Sequence, residues 1–362
     1  MKNISSNYQY TQYACYIGYI TQAIVNNFLP LLFLNFQNTF HLSLDQIAVL
    51  VSVNFGVQLA VDFFSSIFVD RVGYRVCMLA AHLSAAAGLF GLFFFTSWFS
   101  NAFTGIIVSV ILYAVGGGLL EVLVSPIVEA CPSEAKEARM SLLHSFYCWG
   151  HVLVILCSTV FFSLFGLGNW RILACVWAIV PLFNFLFFCK VPIPKLVEDG
   201  KGQKITELLK NSNFWVLFVM MLCAGASEQG MSQWASAFAE SSLRISKTAG
   251  DLLGPCGFAV LMGLSRAFFG KYGERISLQK FMNISSVLCI LSYFLASLSG
   301  NPAWSLAGCM LCGLSVGIMW PGSFSIASKR IADGGTAMFA FLALAGDLGC
   351  MSGPAVVGHI AQ

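Results

Sequence analysis

The sequence predicts an all-α polytopic membrane protein, because three features of the chain agree. First, 58% of its 362 residues are hydrophobic and only 10% are charged, whereas a soluble domain carries about 25% charged residues. Second, the apolar residues form runs of about 20, the length that an α-helix needs to cross a bilayer. Third, these runs lack the two-residue alternation of a barrel strand. A chain this apolar cannot cover a water-facing surface, so its solvent is lipid.

Eleven apolar runs are predicted as membrane-spanning helices. They cover residues 11–35, 46–69, 76–97, 102–129, 142–166, 170–189, 213–238, 250–270, 279–299, 303–327 and 336–360. Short segments with charges or turn residues separate them. An odd number of spans puts the two termini on opposite sides of the membrane, and we expect a twelfth helix that the given sequence lacks.

The positions of Lys and Arg predict the orientation of the chain. Sixteen of the 19 lie in the N-terminal segment or in alternate connections counted from it; the exceptions are Arg171, Arg244 and Lys247. Cytoplasmic connections carry an excess of Lys and Arg. We therefore expect a multi-pass protein of the cytoplasmic membrane with its N-terminus in the cytoplasm.

The longest polar connection divides the predicted spans into two groups. We expect an N-terminal six-helix bundle over residues 1–189, a cytoplasmic linker over 190–212 and a C-terminal bundle of five spans over 213–362. Equivalent signals recur about 200 residues apart; Pro126 in span four, for example, corresponds to Pro321 in span ten. Parallel repeats of this kind are a recurring plan of transporters, with the binding site between the halves.

The connection after span two carries a family motif. Asp70-Arg71-Val72-Gly73-Tyr74-Arg75 resembles the cytoplasmic signature G-x-x-x-D-R-x-G-R of the major facilitator superfamily, although Ser66 replaces the first glycine and the last basic residue is displaced by one. The resemblance implies the major facilitator fold of two pseudo-repeated helix bundles, with eleven spans seen here and the twelfth missing. It also implies that Asp70, Arg71, Gly73 and Arg75 form a cytoplasmic latch that holds the outward-facing state.

A closer resemblance is to the fucose permease-like branch of sugar:proton symporters. It rests on Glu121 with Ser125-Pro126 in span four, and on Asn26-Asn27 in span one. Ser125 stands where the branch has Asn, and residues 1–44 contain no acid, although the branch carries an Asp in span one. The resemblance implies proton-coupled symport of a sugar or similar small polar solute. It also implies a cavity lined by spans one, four, five, seven, ten and eleven.

Acidic residues inside the spans are the candidates for proton coupling. A charge at mid-depth of a bilayer costs about 2.5–3.5 kcal/mol on insertion scales, and an unpaired carboxylate there favours its neutral, protonated form. Five acids lie well within predicted spans: Asp62, Glu121, Glu129, Glu228 and Asp347. Among the basic residues only Arg266, near the end of span eight, is close enough to pair with one. We predict Glu121 and Glu228 as proton-coupling residues; a protonated Glu121 that merely bonds a neighbouring helix is the structural alternative.

Amide and aromatic side chains within the spans are predicted to bind the solute. Gln229 and Gln233 share a helix face because they are four residues apart. Hydrogen-bonding groups beside an aromatic ring suit a polar solute whose CH groups stack on the ring. The predicted set is Asn26, Asn27, His144, Tyr147, Gln229, Gln233, Trp234 and Trp320. An interfacial anchor role for Trp234 and an ordinary packing role for His144 stay open.

Asp62 and Asp347 complete the predicted latch. Asp62 lies eight residues before Asp70 on span two and faces a similar direction. Asp347 lies between Gly346 and Gly349, and such glycines permit close helix approach. We expect Asp347 to bond span two, with a purely structural role as the alternative.

No enzyme activity, cofactor or metal site is expected from the sequence. His144 and His151 are seven residues apart on one helix, a spacing that gives no chelate. The chain has no G-x-x-x-x-G-K-[ST] loop, so ATP is not the expected energy source. We expect a monomer whose partners are a small-molecule solute, protons and the lipid bilayer, and no nucleic acid. Two alternatives stay open: an exporter of hydrophobic compounds, suggested by the Phe- and Met-rich spans, and a non-transporting solute sensor.

Overall fold

The computed structural model describes residues 7–194, 205–232, 235, 252–299, 301–331 and 334–361. These residues are mostly helical and contain no strand. Within them, eight helical segments are long and apolar enough to cross a membrane. The predicted all-α polytopic fold is therefore confirmed.

The first six predicted spans are all helical, and five of them correspond to a single helix each. They are α1 (Tyr8–Asn27) with α2 (Phe33–Phe40), α3 (Leu44–Val72), α4 (Tyr74–Trp98), α5 (Ala102–Ala130), α6 (Lys136–Phe165) and α7 (Trp170–Phe188). Span one is interrupted, because a 3-10 turn over Leu29–Leu32 separates α1 from α2. Pro30 in this turn has no N–H to donate to the carbonyl of Asn26, so one helical hydrogen bond is missing at the interruption.

The later spans follow in the expected order. Their helices are α8 (Ile205–Leu208), α9 (Ser212–Ser232), α10 (Gly257–Tyr272), α11 (Leu278–Leu298), α12 (Pro302–Val316), α13 (Met319–Arg330) and α14 (Gly335–Ala361). A π-helical turn over Leu252–Cys256 leads into α10. Span ten, predicted as one helix, is divided into α12 and α13, and Pro321 near the start of α13 removes one helical donor at this break.

The chain forms two compact units. The first comprises residues 1–132 and 150–196, and the second comprises residues 133–149 and 197–362. In the first unit α5 packs against α1, α3 and α4, and α4 also packs against α7. In the second unit α9 packs against α14, and α12 packs against α10 and α11. The first half of α6, which contains His144, therefore belongs to the second unit.

Three consecutive glycines bring α5 close to three neighbouring helices. A Cβ at Gly116 would lie 2.6 Å from the backbone of α4. At Gly117 it would lie 3.1 Å from Val25 of α1, and at Gly118 it would lie 3.0 Å from Val61 of α3. The close approach that small residues allow therefore fixes the part of α5 that carries Glu121, three residues further on.

Glycines also bring the backbones of α9 and α14 into contact. A Cβ at Gly225 would lie 2.2 Å from the carbonyl oxygen of Gly346, and one at Gly349 would lie 2.1 Å from the carbonyl oxygen of Leu222. The predicted close approach at Gly346 and Gly349 is thus present. Its partner is span seven, in the same unit.

Candidate functional site

Glu121 lies on α5 at the contact with α1, and only 8% of it is exposed. Gln22 Nε2 donates a hydrogen bond of 2.5 Å to Glu121 Oε2. One turn further along α5, the hydroxyl groups of Ser125 and Tyr19 lie 2.8 Å apart. A buried carboxyl group needs a polar partner of this kind. The first predicted proton-coupling residue therefore occupies a polar contact between two apolar helices.

A second polar contact joins α1 to α3. Asn26 Oδ1 accepts hydrogen bonds from Gln58 Nε2 at 2.9 Å and from Asn54 Nδ2 at 3.3 Å. Asn54, Gln58 and Asp62 follow one another at intervals of four on α3, and they are 6%, 1% and 0% exposed. Because residues four apart share a helix face, these three side chains form a buried polar stripe along α3, inside the first unit.

Sequence reasoning singled out the acids and missed the amides that form these two polar contacts. Gln22, Asn54 and Gln58 carry no charge, so the cost of burying a charge did not mark them. A periodic signal was present nonetheless. Tyr19, Gln22 and Asn26 are three and four residues apart, which places three polar side chains on one face of the helix.

Asn27 does not join this network. Its Nδ2 donates a hydrogen bond of 2.9 Å to the carbonyl oxygen of Ala23, in its own helix. Like Asn26, it is half-buried. The two neighbouring asparagines, predicted together as solute ligands, therefore have different partners.

In the second unit, Glu228 of α9 forms an ion pair with Arg266 of α10. Arg266 Nη2 lies 2.9 Å from Glu228 Oε2, and the two side chains are 3% and 9% exposed. The sequence placed Arg266 near the end of its span as the one cation within reach of an acid. The structure places it deep in the unit and pairs it with the second predicted proton-coupling residue.

Arg266 also binds the backbone of two further segments. Its Nε donates to the carbonyl oxygen of Gly317 at 2.7 Å, and its Nη1 donates to the carbonyl oxygen of His144 at 3.0 Å. Nη1 also lies 3.2 Å from Cys148 Sγ. Since Pro321 has no N–H, the Gly317 carbonyl lacks the donor that a regular helix would supply four residues later. The guanidinium of Arg266 supplies the missing donor.

Among the predicted solute ligands of the second unit, His144 contacts this ion pair through its backbone carbonyl. The ring of His144 packs against Phe324 with 5.8 Å between centroids, and Tyr147 and Gln229 are half-buried. His144 therefore offers its backbone carbonyl to Arg266 and its ring to an aromatic contact. Gln233 and Trp234 lie outside the described residues.

Trp320 packs its ring over the backbone of α14. A Cβ at Gly346 would lie 2.2 Å from Trp320 Cη2, so only glycine leaves room for the indole there. Trp320 is 8% exposed, and Asp347, next to this contact, is 4% exposed. Within the described residues, no group of three or more His, Cys, Asp or Glu side chains is placed to hold a metal ion.

In the predicted latch, Arg75 binds the end of α7. Its Nη1 donates to the carbonyl oxygen of Phe188 at 2.5 Å and its Nη2 donates to that of Val191 at 2.8 Å. The last carbonyls of a helix have no intrahelical donor and carry partial negative charge. Arg75 therefore caps α7 where the chain leaves the first bundle.

The other latch residues occupy different environments. Asp70 and Arg71 are exposed, and Tyr74 donates a hydrogen bond of 3.2 Å to Asp70 Oδ1. Gly73 has a φ of +95°, a conformation that side chains disfavour and that explains the glycine. Asp62, on the same helix as Asp70, is fully buried, so the two aspartates share a helix but not an environment.

The sequence pattern as a whole identifies the family. A family model described as Major Facilitator Superfamily matches residues 15–354. The chain belongs to the major facilitator superfamily. It is therefore a multi-pass membrane protein from a family of transporters and not of enzymes, as the motif after span two predicted.

Solved structures of major facilitators share the fold of this chain. A structure of the E. coli fucose:proton symporter FucP, in a single-residue variant form, superposes with a TM-score of 0.78 at 16% identity, over 97% of this chain and 92% of that one. FucP in the outward conformation gives 0.80 at 14% identity, over 97% and 91%. The proton:xylose symporter XylE, bound to 6-bromo-6-deoxy-D-glucose, gives 0.79 at 12% identity, over 98% and 88%. At these identities the likeness is one of fold.

A curated relative is the membrane protein MosC of Rhizobium meliloti. It is 22% identical to this chain over 259 residues, which are 70% of this chain and 61% of MosC. The aligned part of this major facilitator thus spans less than two thirds of that relative.

Proposed function

We propose that this major facilitator imports a small polar solute, with sugars as the first substrate class, by proton-coupled symport across the cytoplasmic membrane. The observation that carries the proposal is the hydrogen bond from Gln22 to Glu121, which holds a buried carboxyl group between two helices of the first unit. The folds of the fucose:proton and proton:xylose symporters support the choice of sugars and protons.

Glu121 is the group proposed to bind the proton first. Gln22 is a neutral amide, and its N–H can donate to a carboxyl oxygen whether or not the carboxyl group is protonated. Glu228 is the second proposed group, but its partner is the guanidinium of Arg266. Protonating Glu228 would leave a buried cation without its counter-ion, which is costly. Because of this difference between the two partners, Glu121 is the first proposed proton-binding residue and Glu228 is the second.

The proposed solute ligands are amide groups and aromatic rings. Asn26 supports this role, because it is half-buried and its Oδ1 is already oriented by Gln58 and Asn54. An amide held in this way can meet a hydroxyl group as donor or acceptor. The full proposed set is Asn26, Asn27, His144, Tyr147, Gln229, Gln233, Trp234 and Trp320.

Alternating access requires a cytoplasmic latch and two bundles, and we propose both. The bundles are residues 1–189 and 213–362, joined by a cytoplasmic linker over 190–212, in a monomer whose N-terminus is cytoplasmic. The proposed latch residues are Asp62, Asp70, Arg71, Gly73, Arg75 and Asp347. The bonds from Arg75 to the end of α7 support the role of this motif, because they tie it to the start of the linker.

Transport by purified protein in proteoliposomes tests the proposal. With an acidic exterior, the wild type should accumulate labelled fucose or xylose. Glu121→Gln should lose this accumulation and retain sugar exchange at equal pH. Glu129→Gln, a matched change on the same helix, should retain both. Gradient-driven accumulation by Glu121→Gln would reject the proton role, and transport of lipophilic cations but not of sugars would favour the exporter.

A further inference from the structure

We propose that Arg266 is a positioning residue that fixes the break in span ten, by supplying the hydrogen bond that Pro321 removes. The inference goes beyond the proposed function, because it depends on neither the identity of the solute nor proton coupling. It rests on the contacts of Arg266 within the second unit.

The break lies between α12, which ends at Val316, and α13, which begins at Met319. In a continuous helix the N–H of residue 321 would donate to the carbonyl oxygen of residue 317. Pro321 has no N–H, and Gly317 is buried, so its carbonyl needs another donor. Arg266 Nε meets that need at 2.7 Å.

The contact is possible because α10 packs directly on the break. A Cβ at Gly317 would lie 2.8 Å from Ser265 Cβ and 2.9 Å from the carbonyl oxygen of Met262. One turn earlier, a Cβ at Gly313 would lie 2.3 Å from the carbonyl oxygen of Phe258. The backbone of α10 therefore contacts the backbone at the break in span ten. This contact places Arg266, the residue after Ser265, beside the Gly317 carbonyl.

The guanidinium group suits this position because its donors point in several directions in one plane. Nε binds the break in span ten, Nη1 binds the His144 carbonyl of α6, and Nη2 binds Glu228 of α9. Glu228 thereby supplies the counter-ion that a buried guanidinium requires. Three elements are joined through one side chain.

The geometry of the break determines where Trp320 lies. Trp320 immediately precedes Pro321, and its ring covers Gly346 of α14. A change in the Gly317 turn would displace this indole. The assignment of Arg266 stands even if Trp320 does not bind solute.

Hydrogen–deuterium exchange of the purified protein, without any solute, tests the assignment. In Arg266→Gln, the backbone amides of residues 313–322 should exchange about tenfold faster than in the wild type, because one charge-assisted bond is lost. Adding Pro321→Ala should return exchange towards the wild-type rate, since the alanine N–H can donate to Gly317. Adding Pro126→Ala, a proline in span four, should leave the fast exchange unchanged.

Arg266→Gln alone could fail to fold because Glu228 loses its partner. The double variant Glu228→Gln/Arg266→Gln avoids this problem, because it removes both charges. This neutral pair should show the same fast exchange and the same correction by Pro321→Ala. Wild-type exchange rates without the Arg266 guanidinium would overturn the proposal. So would exchange that stays fast after Pro321→Ala is added.

Discussion

Arg266 Nη2 and Glu228 Oε2 lie 2.9 Å apart, and the two side chains are 3% and 9% exposed. In such an environment each charge is tolerated because the other is present. Removing one partner leaves a buried charge, whereas removing both leaves none. The pair therefore predicts a strongly non-additive response to substitution.

Glu228→Leu alone should lower stability by about 3–5 kcal/mol, since it removes the carboxylate that pairs with the buried Arg266. The double variant Glu228→Leu/Arg266→Leu should be less destabilised than the sum of the two single variants. Thermal unfolding of the four proteins in one detergent measures the coupling. Additive losses would show that the pair carries no coupling energy.

The contact between α9 and α14 predicts sensitivity to a single methyl group. Gly349→Ala should destabilise the protein by about 1–3 kcal/mol, because its Cβ would lie 2.1 Å from the Leu222 carbonyl oxygen. Gly56→Ala in α3 is the matched control, since no atom lies within 4 Å of a Cβ there. It should be neutral or stabilising, by up to about 1 kcal/mol. Equal unfolding temperatures for the two variants would refute the close contact.

Arg75 should control the stability of the end of α7. Arg75→Gln removes the donors to Phe188 and Val191, so this end should open more often and limited trypsin digestion should cut faster after Lys190. Arg71→Gln changes an exposed arginine of the same motif and should leave the rate unchanged. Similar rates for the two variants would show that Arg75 does not cap the helix.

The apolar runs were sufficient to predict the helices, because a bilayer demands about 20 apolar residues for each span. Pro30 and Pro321 mark in the sequence where a helical donor is missing, but proline alone does not predict a break, because Pro126 and Pro181 lie inside unbroken helices. What could not be read was the group that replaces the donor. Arg266 is 51 residues from Gly317, and only the packing of α10 on α12 brings the two together.

The candidate site could also be predicted only in part, because the contacts between helices do not follow from one sequence. The cost of burying charge marks Glu121 and Glu228 from the sequence alone. Their partners, Gln22 and Arg266, depend on which helix faces meet. A single sequence shows which residues share a helix face, but not which neighbouring helix that face will contact.

The central claim is that Glu121 binds a proton, and infrared difference spectroscopy of the protein in lipid between two pH values tests it most directly. The account predicts a carbonyl stretching band of a protonated carboxylic acid that Glu121→Gln removes and Glu129→Gln leaves in place. Gln22→Leu should shift that band, because it removes the hydrogen bond to Glu121 Oε2. Difference spectra of Glu121→Gln that match the wild type would contradict the claim.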